Sequence, residues 1–252
     1  MSKDNLGDRM KTYYEDRTRY YLPRRNYTII RIDGKAFHTY TRGMGRPFDD
    51  TFMYNMDETA KELCSQIMGA KFAYVQSDEI SILLTDFDTL QTQAWFDNNL
   101  QKMCSVSASI ATRAFNGVSL SRKYAEFDSR VFQIPSLSEV LNYYLWRQQD
   151  CTRNSIQAVA QSLYSQKQLH GKNTSQLQEM IFQKGTNWND YKSYYKRGRV
   201  VYKEAFDYEG TIRTRWAVDA DIPIFSQDWN YLDKWIPMRD DVNIQKILNE
   251  QV

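Results

Sequence analysis

Tyr27-Thr28-Ile29-Ile30-Arg31-Ile32-Asp33-Gly34 is a β-branched run of strand length that stops at an acid and a glycine. Its register in a larger pattern decides the fold. Downstream, from Thr51 to Met68, apolar residues fall at Phe52, Met56, Ala60, Leu63 and Ile67, and these steps of three and four predict one helical face, closed by Gly69. Lys71 to Gln76 and Ile80 to Leu84 read as two further strands. Only Ser77-Asp78-Glu79 separates them, so they form a hairpin with acids at its tip. Trp95 to Phe115 repeats the helical pattern, with Leu100, Met103, Cys104, Ser107 and Ile110 on one face, and Phe127 to Ile134 is a fourth strand before Pro135. The order βαββαβ fits an α+β, ferredoxin-like split βαβ sheet with two helices on one face. Polymerase palms and nucleotide cyclases share that topology, and topology alone does not give function.

The flanks differ from this centre. Residues 3–25 are polar and tyrosine-rich, with Tyr13, Tyr14, Tyr20 and Tyr21 among Arg9, Lys11, Arg17, Arg19, Arg24 and Arg25; they read as one charged helix ending near Pro23. After Pro135, residues 136–170 are helical and rich in Gln and Asn. Residues 185–219 combine tyrosines with basic residues and hold strand-like stretches at Arg199–Ala205 and Thr211–Val218. Two parts are expected: a palm-like domain with an N-terminal helix over 1–135, and over 136–252 a C-terminal extension of helices and strands packed on the palm.

A chain of 252 residues buries a large core without a disulfide or metal staple. Its 42% hydrophobic and 25% charged residues exclude disorder, collagen and a coiled-coil rod as whole-chain readings. A net charge of +2 is too balanced for a histone-like binder but leaves room for a local basic patch. Cys64, Cys104 and Cys151 are scattered and form no CxxC pair, which suits a reducing cytoplasm and gives no zinc spacing. No run approaches the roughly 18 apolar residues of a membrane span. A cytoplasmic protein without a membrane partner is expected.

Chemistry concentrates on Asp33 and Asp78, each just beyond the end of a predicted strand. The first and third strands of this sheet lie side by side in its centre, so both acids reach one edge. Two close carboxylates repel, and Mg²⁺, held by one or two carboxylates, waters and substrate phosphates, relieves the repulsion. Two such ions about 3.5–4 Å apart stabilise both oxygens of an in-line displacement. Gly34 lets backbone amides approach a phosphate. Arg31, Lys35, Arg46 and Lys102 are cationic candidates near that edge, and His38 is a candidate base or stacking platform. The plain alternative makes both acidic segments ordinary turns, and Lys35 and Lys102 solvated charges. Tyr191, Lys192, Tyr194, Tyr195, Lys196, Arg197, Arg199, Tyr202 and Lys203 suit RNA, or an amphipathic sheet whose rings snorkel.

Arg31-Ile32-Asp33-Gly34-Lys35-Ala36-Phe37-His38 resembles the R-[LI]-D-G-[RK]-x-F-H segment of the tRNA-histidine guanylyltransferase family. Gln76-Ser77-Asp78-Glu79-Ile80-Ser81 resembles its Q-S-D-E-x-S motif, and Arg46-Pro47-Phe48-Asp49 its [KR]-P-x-D. Phe127-Asp128-Ser129-Arg130-Val131-Phe132 and Trp146-Arg147-Gln148-Gln149-Asp150-Cys151 are similar to two more family segments, all in order over residues 27–155. A weaker similarity continues through Tyr195-Lys196-Arg197-Gly198. The resemblance implies a polymerase-palm enzyme that adds nucleotides 3′→5′ to the 5′ end of tRNA, after activation of the 5′-phosphate by ATP or GTP, with two Mg²⁺ ions. Asp33, Asp78 and Glu79 would be catalytic, and Asp33, the Gly34 carbonyl and Asp78 the metal ligands. Arg31, Gly34, Lys35, Ala36, Phe37, His38 and Ser77 would line the nucleotide, Arg46 and Lys102 its triphosphate, and Asp49 the base of the activating nucleotide. Arg130, Arg153, Asn154, Lys196 and Arg197 would contact RNA. A homotetramer, a dimer of dimers, is implied as well, with residues 1–135 as the catalytic domain and 136–252 as the part that contacts tRNA and oligomerises.

The eukaryotic branch carries H-I-N-N-x-x-N after the Asp-Cys pair; here Thr152-Arg153-Asn154-Ser155-Ile156-Gln157-Ala158 keeps only Asn154, and Asn99 stands where that branch tends to have arginine. This favours the family's template-dependent "like" branch, which repairs 5′-truncated tRNA, over non-templated addition of G to tRNA-histidine. Two readings of other classes stay open on the residues alone: a small-nucleotide cyclase on the same palm, and an RNA-binding module without catalysis.

Overall fold

Alternation along the first strand decides which helices cover which face of the sheet. In the computed structural model, which describes residues 5–239, β1 (Tyr27–Gly34) sends Ile30 and Ile32 to one side and Tyr27 and Ile29 to the other. The first side meets α3 (Asp50–Gln66) and α4 (Leu100–Val118), through Met56, Leu63, Met103 and Phe115. The second meets α5 (Leu137–Leu163), through Val140, Tyr143 and Tyr144. Both faces are therefore buried, and each fully buried Met or Leu contributes about 1.5–3 kcal/mol. With β2 (Ala70–Gln76), β3 (Glu79–Leu84), β4 (Phe127–Ile134), β5 (Arg199–Tyr208) and β6 (Thr211–Asp219), the sheet has six strands in the order β4-β1-β3-β2-β5-β6, every pair antiparallel. The expected βαββαβ core is present, with its two helices on one face. The C-terminal strands continue the same sheet from β2.

Helix starts follow from their caps. Asp49 accepts from the Phe52 amide at α3, Asn99 from Lys102 at α4, and Ser136 from Glu139 at α5. The remaining helices are short except α7: α1 (Leu6–Met10), α2 (Phe37–Tyr40), α6 (Gln166–Leu169), α7 (Thr174–Gln183), α8 (Ser193–Arg197) and α9 (Asn230–Asp233).

The N-terminal segment departs from the expected single helix. Helical turns occupy residues 6–18 only, and none of their side chains is buried. The chain is extended by Tyr20–Leu22, where the Leu100 amide donates to Tyr20 and the Leu22 amide to Asn98. With charges on every side, this segment has no apolar stripe to hold a longer helix. The helix expected from Trp95 begins only at Leu100, because Phe96, Asp97 and Asn98 take left-handed backbone angles. The outer ends of the expected N-terminal helix and C-terminal extension, residues 3–4 and 240–252, lie outside the described residues. Among the described residues no helix is long and apolar enough to cross a membrane.

Candidate active site

The end of β1 is sewn to the hairpin tip on one side and to β4 on the other. Asp33 lies in register with Glu79 of β3 and with Asp128 of β4. The Gly34 amide donates to the Asp78 carbonyl at 3.1 Å, and the Lys35 amide to the Glu126 carbonyl at 2.9 Å. Asp33 and Asp78 are thus brought to one edge. Ser77 turns the tip with φ of 45°, and its hydroxyl donates to Asp78 Oδ1 at 2.9 Å. Burial pushes the Asp78 carboxyl above the ordinary aspartate value, and the charge of Asp33 adds to the rise against the Ser77 bond. Asp33 is half-buried, with Arg31 and Arg130 each 3.9 Å from one of its oxygens. Among the described residues no lysine or arginine forms an ion pair with Asp78. Two neighbouring carboxylates so weakly neutralised fit a hard divalent cation that takes oxygen ligands and completes its shell with water or phosphate.

Glu79 has the opposite surroundings. Its side chain is buried between Arg31 Nη2 at 2.6 Å and Arg147 Nε at 3.0 Å, with the Ser81 hydroxyl at 3.3 Å. Burial raises its pKa while Arg147 and Arg31 oppose the rise. Glu79 and Arg31 line neither cavity at this edge; they are bound to each other, so Arg31 is not offered to a phosphate.

Two cavities open beside the acids. One, of 420 Å³, is lined by Gly34, Ala36, Phe37, His38, Thr41, Phe52, Ser77 and Asp78. The other, of 380 Å³, shares His38, Thr41, Phe52 and Ser77 with it and extends along residues 42–49 to α5. Gly34 is required at the rim: a Cβ there would lie 2.3 Å from the Phe37 ring. That ring is buried among Tyr40, Phe52, Phe115 and Phe127, so Phe37 supports the turn from below. Ala36 holds φ of 56° at the start of α2. Lys35 is exposed and paired with Glu126 at 2.5 Å. Arg46 and Asp49 line the second cavity. Both Asp49 oxygens are already used, by the Phe52 and Gly45 amides at 2.8 Å, so this acid builds the loop.

Other expected residues are not brought to the edge. Lys102 sits in the first turn of α4, 5.9 Å over the Phe96 ring. That turn lies beside the residues that precede β1, whereas the acids stand at its far end. Lys196 and Arg197 need correction as surface cations. Lys196 is buried, its Nζ donating to the Asn189 carbonyl at 2.6 Å, and Arg197 Nη1 donates to the Ile222 carbonyl at 3.2 Å. Gly198, at φ of +78°, packs against Tyr74 and draws both into the fold. Arg153 is exposed but bound to Asp150, which also holds Arg147. Asn154 lines the second cavity, and Arg130 is exposed beside Asp33.

The structure adds residues that the motif reading left without a role. Cys151, Ser155, Ala158 and Ser162 line the second cavity with Asn154. Their steps of three and four place them on one face of α5, and small side chains on such a face are the signal of a wall left open. Phe48 stacks on Tyr195 at 4.4 Å to close the cavity from the side. Arg147, buried at 2% exposure, could have been flagged as an arginine on the inward face of an otherwise apolar helical turn.

Comparison with known proteins gives consistent results. The family model described as tRNAHis guanylyltransferase matches residues 7–135, just over half of the chain. The solved structure of a bacterial tRNA(His) guanylyltransferase-like protein in complex with ATP superposes with a TM-score of 0.84 at 46% identity, covering 92% of this chain and 99% of that one. A bacterial structure of the same description, in complex with GTP, gives 0.82 at 46% identity, over 93% of this chain and 100% of that one. The tRNA(His) guanylyltransferase of the yeast Debaryomyces hansenii is 28% identical over 77% of this chain and 78% of its own length.

Proposed function

The chain belongs to the tRNA(His) guanylyltransferase family and is a nucleotidyltransferase with guanylyltransferase-like activity, and from that premise we propose that it repairs tRNA 5′ ends by template-directed 3′→5′ nucleotide addition. The observation that carries the reading is the pair Asp33 and Asp78 at one edge of the sheet, with Asp78 lining a cavity there, in a chain 46% identical to guanylyltransferase-like proteins held with ATP and with GTP. ATP or GTP would enter the cavity between residues 42–49 and α5 and activate the tRNA 5′-phosphate. In that activation the 5′-phosphate would displace pyrophosphate from the α-phosphate of ATP or GTP. The 3′-hydroxyl of the incoming NTP would then displace the nucleoside monophosphate from the activated 5′ end, forming the new phosphodiester.

Asp33, the Gly34 carbonyl and Asp78 would hold two Mg²⁺ ions. When bound, Mg²⁺ neutralises charge on the phosphate oxygens. The chain's own residues do the rest. Gly34, without a side chain, lets the turn sit against the Phe37 ring, its own amide and that of Lys35 being taken up by the Asp78 and Glu126 carbonyls. The Ser77 hydroxyl fixes the rotamer of Asp78. Arg31 and Arg147 hold Glu79, which keeps the hairpin tip in place against α5. Arg46, His38 and Ser77 face the nucleotide, and small residues on α5 leave room for its base.

Templating is supported by the departure at Thr152–Ala158 and by the greater identity to the "like" proteins than to the yeast guanylyltransferase. A dimer of dimers and a cytoplasmic location, the latter supported by three free cysteines, complete the proposal, with residues 1–135 as the catalytic part and 136–252 as its extension. The test supplies a 5′-monophosphorylated tRNA lacking its first nucleotide with ATP, Mg²⁺ and each NTP in turn. Extension only by the NTP complementary to the facing base is expected. Addition of G whatever the facing base would replace templated repair with histidine-type guanylyl transfer, and no extension would overturn the reading.

A further inference from the structure

The connection from α4 to β4, residues 119–126, lends only Glu126 to the site described above, yet all of it stands at the same end of the sheet as Asp33 and Asp78. Phe127 is in register with Gly34, and the Glu126 carbonyl accepts from the Lys35 amide. The loop is firmly anchored. The Asn116 side chain bonds both the amide and the carbonyl of Ala125 at 2.8 Å. Ser119 bonds the Tyr40 hydroxyl at 3.0 Å, and Lys123 Nζ donates to the Tyr40 and Arg42 carbonyls at 3.1 and 3.2 Å.

On this fixed loop Tyr124 is 87% exposed and Leu120 94%. Neither packs on the core, so the fold does not explain them. Arg122 and Lys123 precede Tyr124 on the loop itself, and the acid Glu126 is matched by Lys35. An exposed aromatic ring on an anchored loop, beside Arg122 and Lys123 and at the end of the sheet that carries the acids, has the makeup of a base-stacking platform with backbone contacts. An enzyme that extends a helical end has to hold the outermost base while the next nucleotide enters, and the holder has to sit beside the carboxylates.

We propose that residues 119–124 seat the end of the RNA acceptor stem, with the Tyr124 ring stacked on its terminal base and Arg122 on the adjoining backbone phosphate. This rests on the reading of the chain as a nucleotidyltransferase for tRNA 5′ ends. The occupant is RNA because the surface joins a stacking ring to an excess of cations; a second copy of the chain would leave those cations unmatched.

The test compares full-length wild type, Tyr124→Ala, Tyr124→Phe and Arg122→Ala. The probe is the 5′-truncated tRNA with 2-aminopurine at the unpaired facing base. RNA affinity without NTP, 2-aminopurine fluorescence, affinity for a fluorescent ATP analogue, and sedimentation are measured in parallel. Tyr124→Ala is expected to weaken RNA binding about tenfold and to remove the fluorescence change, while Tyr124→Phe retains both. Arg122→Ala is expected to lower the slope of log affinity against log salt by about 1. ATP-analogue affinity and sedimentation stay unchanged throughout. Unchanged RNA binding by Tyr124→Ala overturns the proposal, and a changed sedimentation coefficient reassigns the loop to a contact between copies. If wild type extends the RNA but Tyr124→Ala does so with the same KM, the platform fails alone. If wild type binds RNA through Tyr124 but extends nothing, the platform stands and the functional reading fails. A wild type that binds no RNA overturns both.

Discussion

Asp78 and Glu79 are neighbours in the chain and opposites in the structure. The turn between β2 and β3 leaves Asp78 lining a cavity with Phe37 and with Phe52 of α3, where it carries no ion pair among the described residues. Alternation along β3, which begins at Glu79, sends that acid toward α5, where two arginines grip it. The same contrast runs through the two faces of the sheet. Toward α3 and α4 the central strands bury Ile30, Ile32, Val75, Ile80 and Ile82. Toward α5 they bury Tyr27, Ile29, Phe72, Tyr74 and Leu83, and then change to the charged cluster of Arg31, Glu79, Arg147 and Asp150 at the end nearest the acids. One face holds the sheet by apolar burial. The other adds a buried ion network that holds the hairpin tip, so that an under-neutralised acid can stand at its apex.

The largest expected effect separates the two acids by function. Asp78→Ala removes an acid proposed to hold the Mg²⁺ that neutralises phosphate charge, a stabilisation of several kcal/mol, and nucleotide addition should fall on the order of a thousandfold or more. Its melting temperature should hold or rise, because a buried carboxylate without an ion pair costs stability. Single-turnover extension assays and thermal denaturation read both. Retained activity would remove Asp78 from the site. A large loss of stability would mean that the tip depends on it as it does on Glu79.

Glu79→Gln should invert that pattern. Arg31 and Arg147 lose the carboxylate they share and keep only Asp150 on Arg147 and the more distant Asp33 on Arg31, and breaking such a buried pair costs about 3–5 kcal/mol. Denaturant unfolding should show the loss, with affinity for an ATP analogue kept under conditions where the variant is folded. Full stability with abolished turnover would make Glu79 a residue that meets the reacting groups, and the contrast between the neighbours would collapse.

How far residues alone reveal this arrangement depends on the period of each signal. The alternation at Tyr27–Gly34 and the steps of three and four between Phe52 and Ile67 are local, and they were enough for the βαββαβ core. The meeting of Asp33 with Asp78 follows from topology once the strands are placed. The network around Arg147 does not, because it joins β1, β3 and α5 across more than a hundred residues. The fate of residues 185–199 was masked by composition: a tyrosine-and-basic run looks alike whether its cations face water or, as with Lys196 and Arg199, are folded inward onto Asn189 and Asp57. The placement of Lys102 was missed because the turn at Phe96–Asn98 delays α4 and leaves its start beside the residues that precede β1.

A smaller effect tests the rim that the two faces share. Gly34→Ala would push a Cβ into the Phe37 ring, and such overpacking costs about 1–3 kcal/mol. Activity should fall by more than stability alone explains, because the turn carrying Asp33 moves with it. Combining it with Phe37→Leu should restore part of the stability. No recovery would place the strain elsewhere than at this contact.

The smallest effect concerns the one place where burial and composition make opposite demands on a cation. Lys196 lies over the Trp188 ring at 5.2 Å with its Nζ bonded to the Asn189 carbonyl, and burial lowers its pKa, with Arg197 adding to the fall. A cation so placed costs desolvation and returns little net stability, so Lys196→Gln should destabilise by only about 1 kcal/mol through the lost charged hydrogen bond. The salt dependence of RNA binding should not change, since a side chain turned into the fold releases no counterion from a phosphate. Arg122→Ala should do the reverse, flattening the salt slope without moving the melting temperature. If Lys196→Gln flattened the slope by about 1, Lys196 would have to leave Asn189 and reach RNA, and the basic stretch would be a nucleic-acid surface that its burial in the free protein conceals.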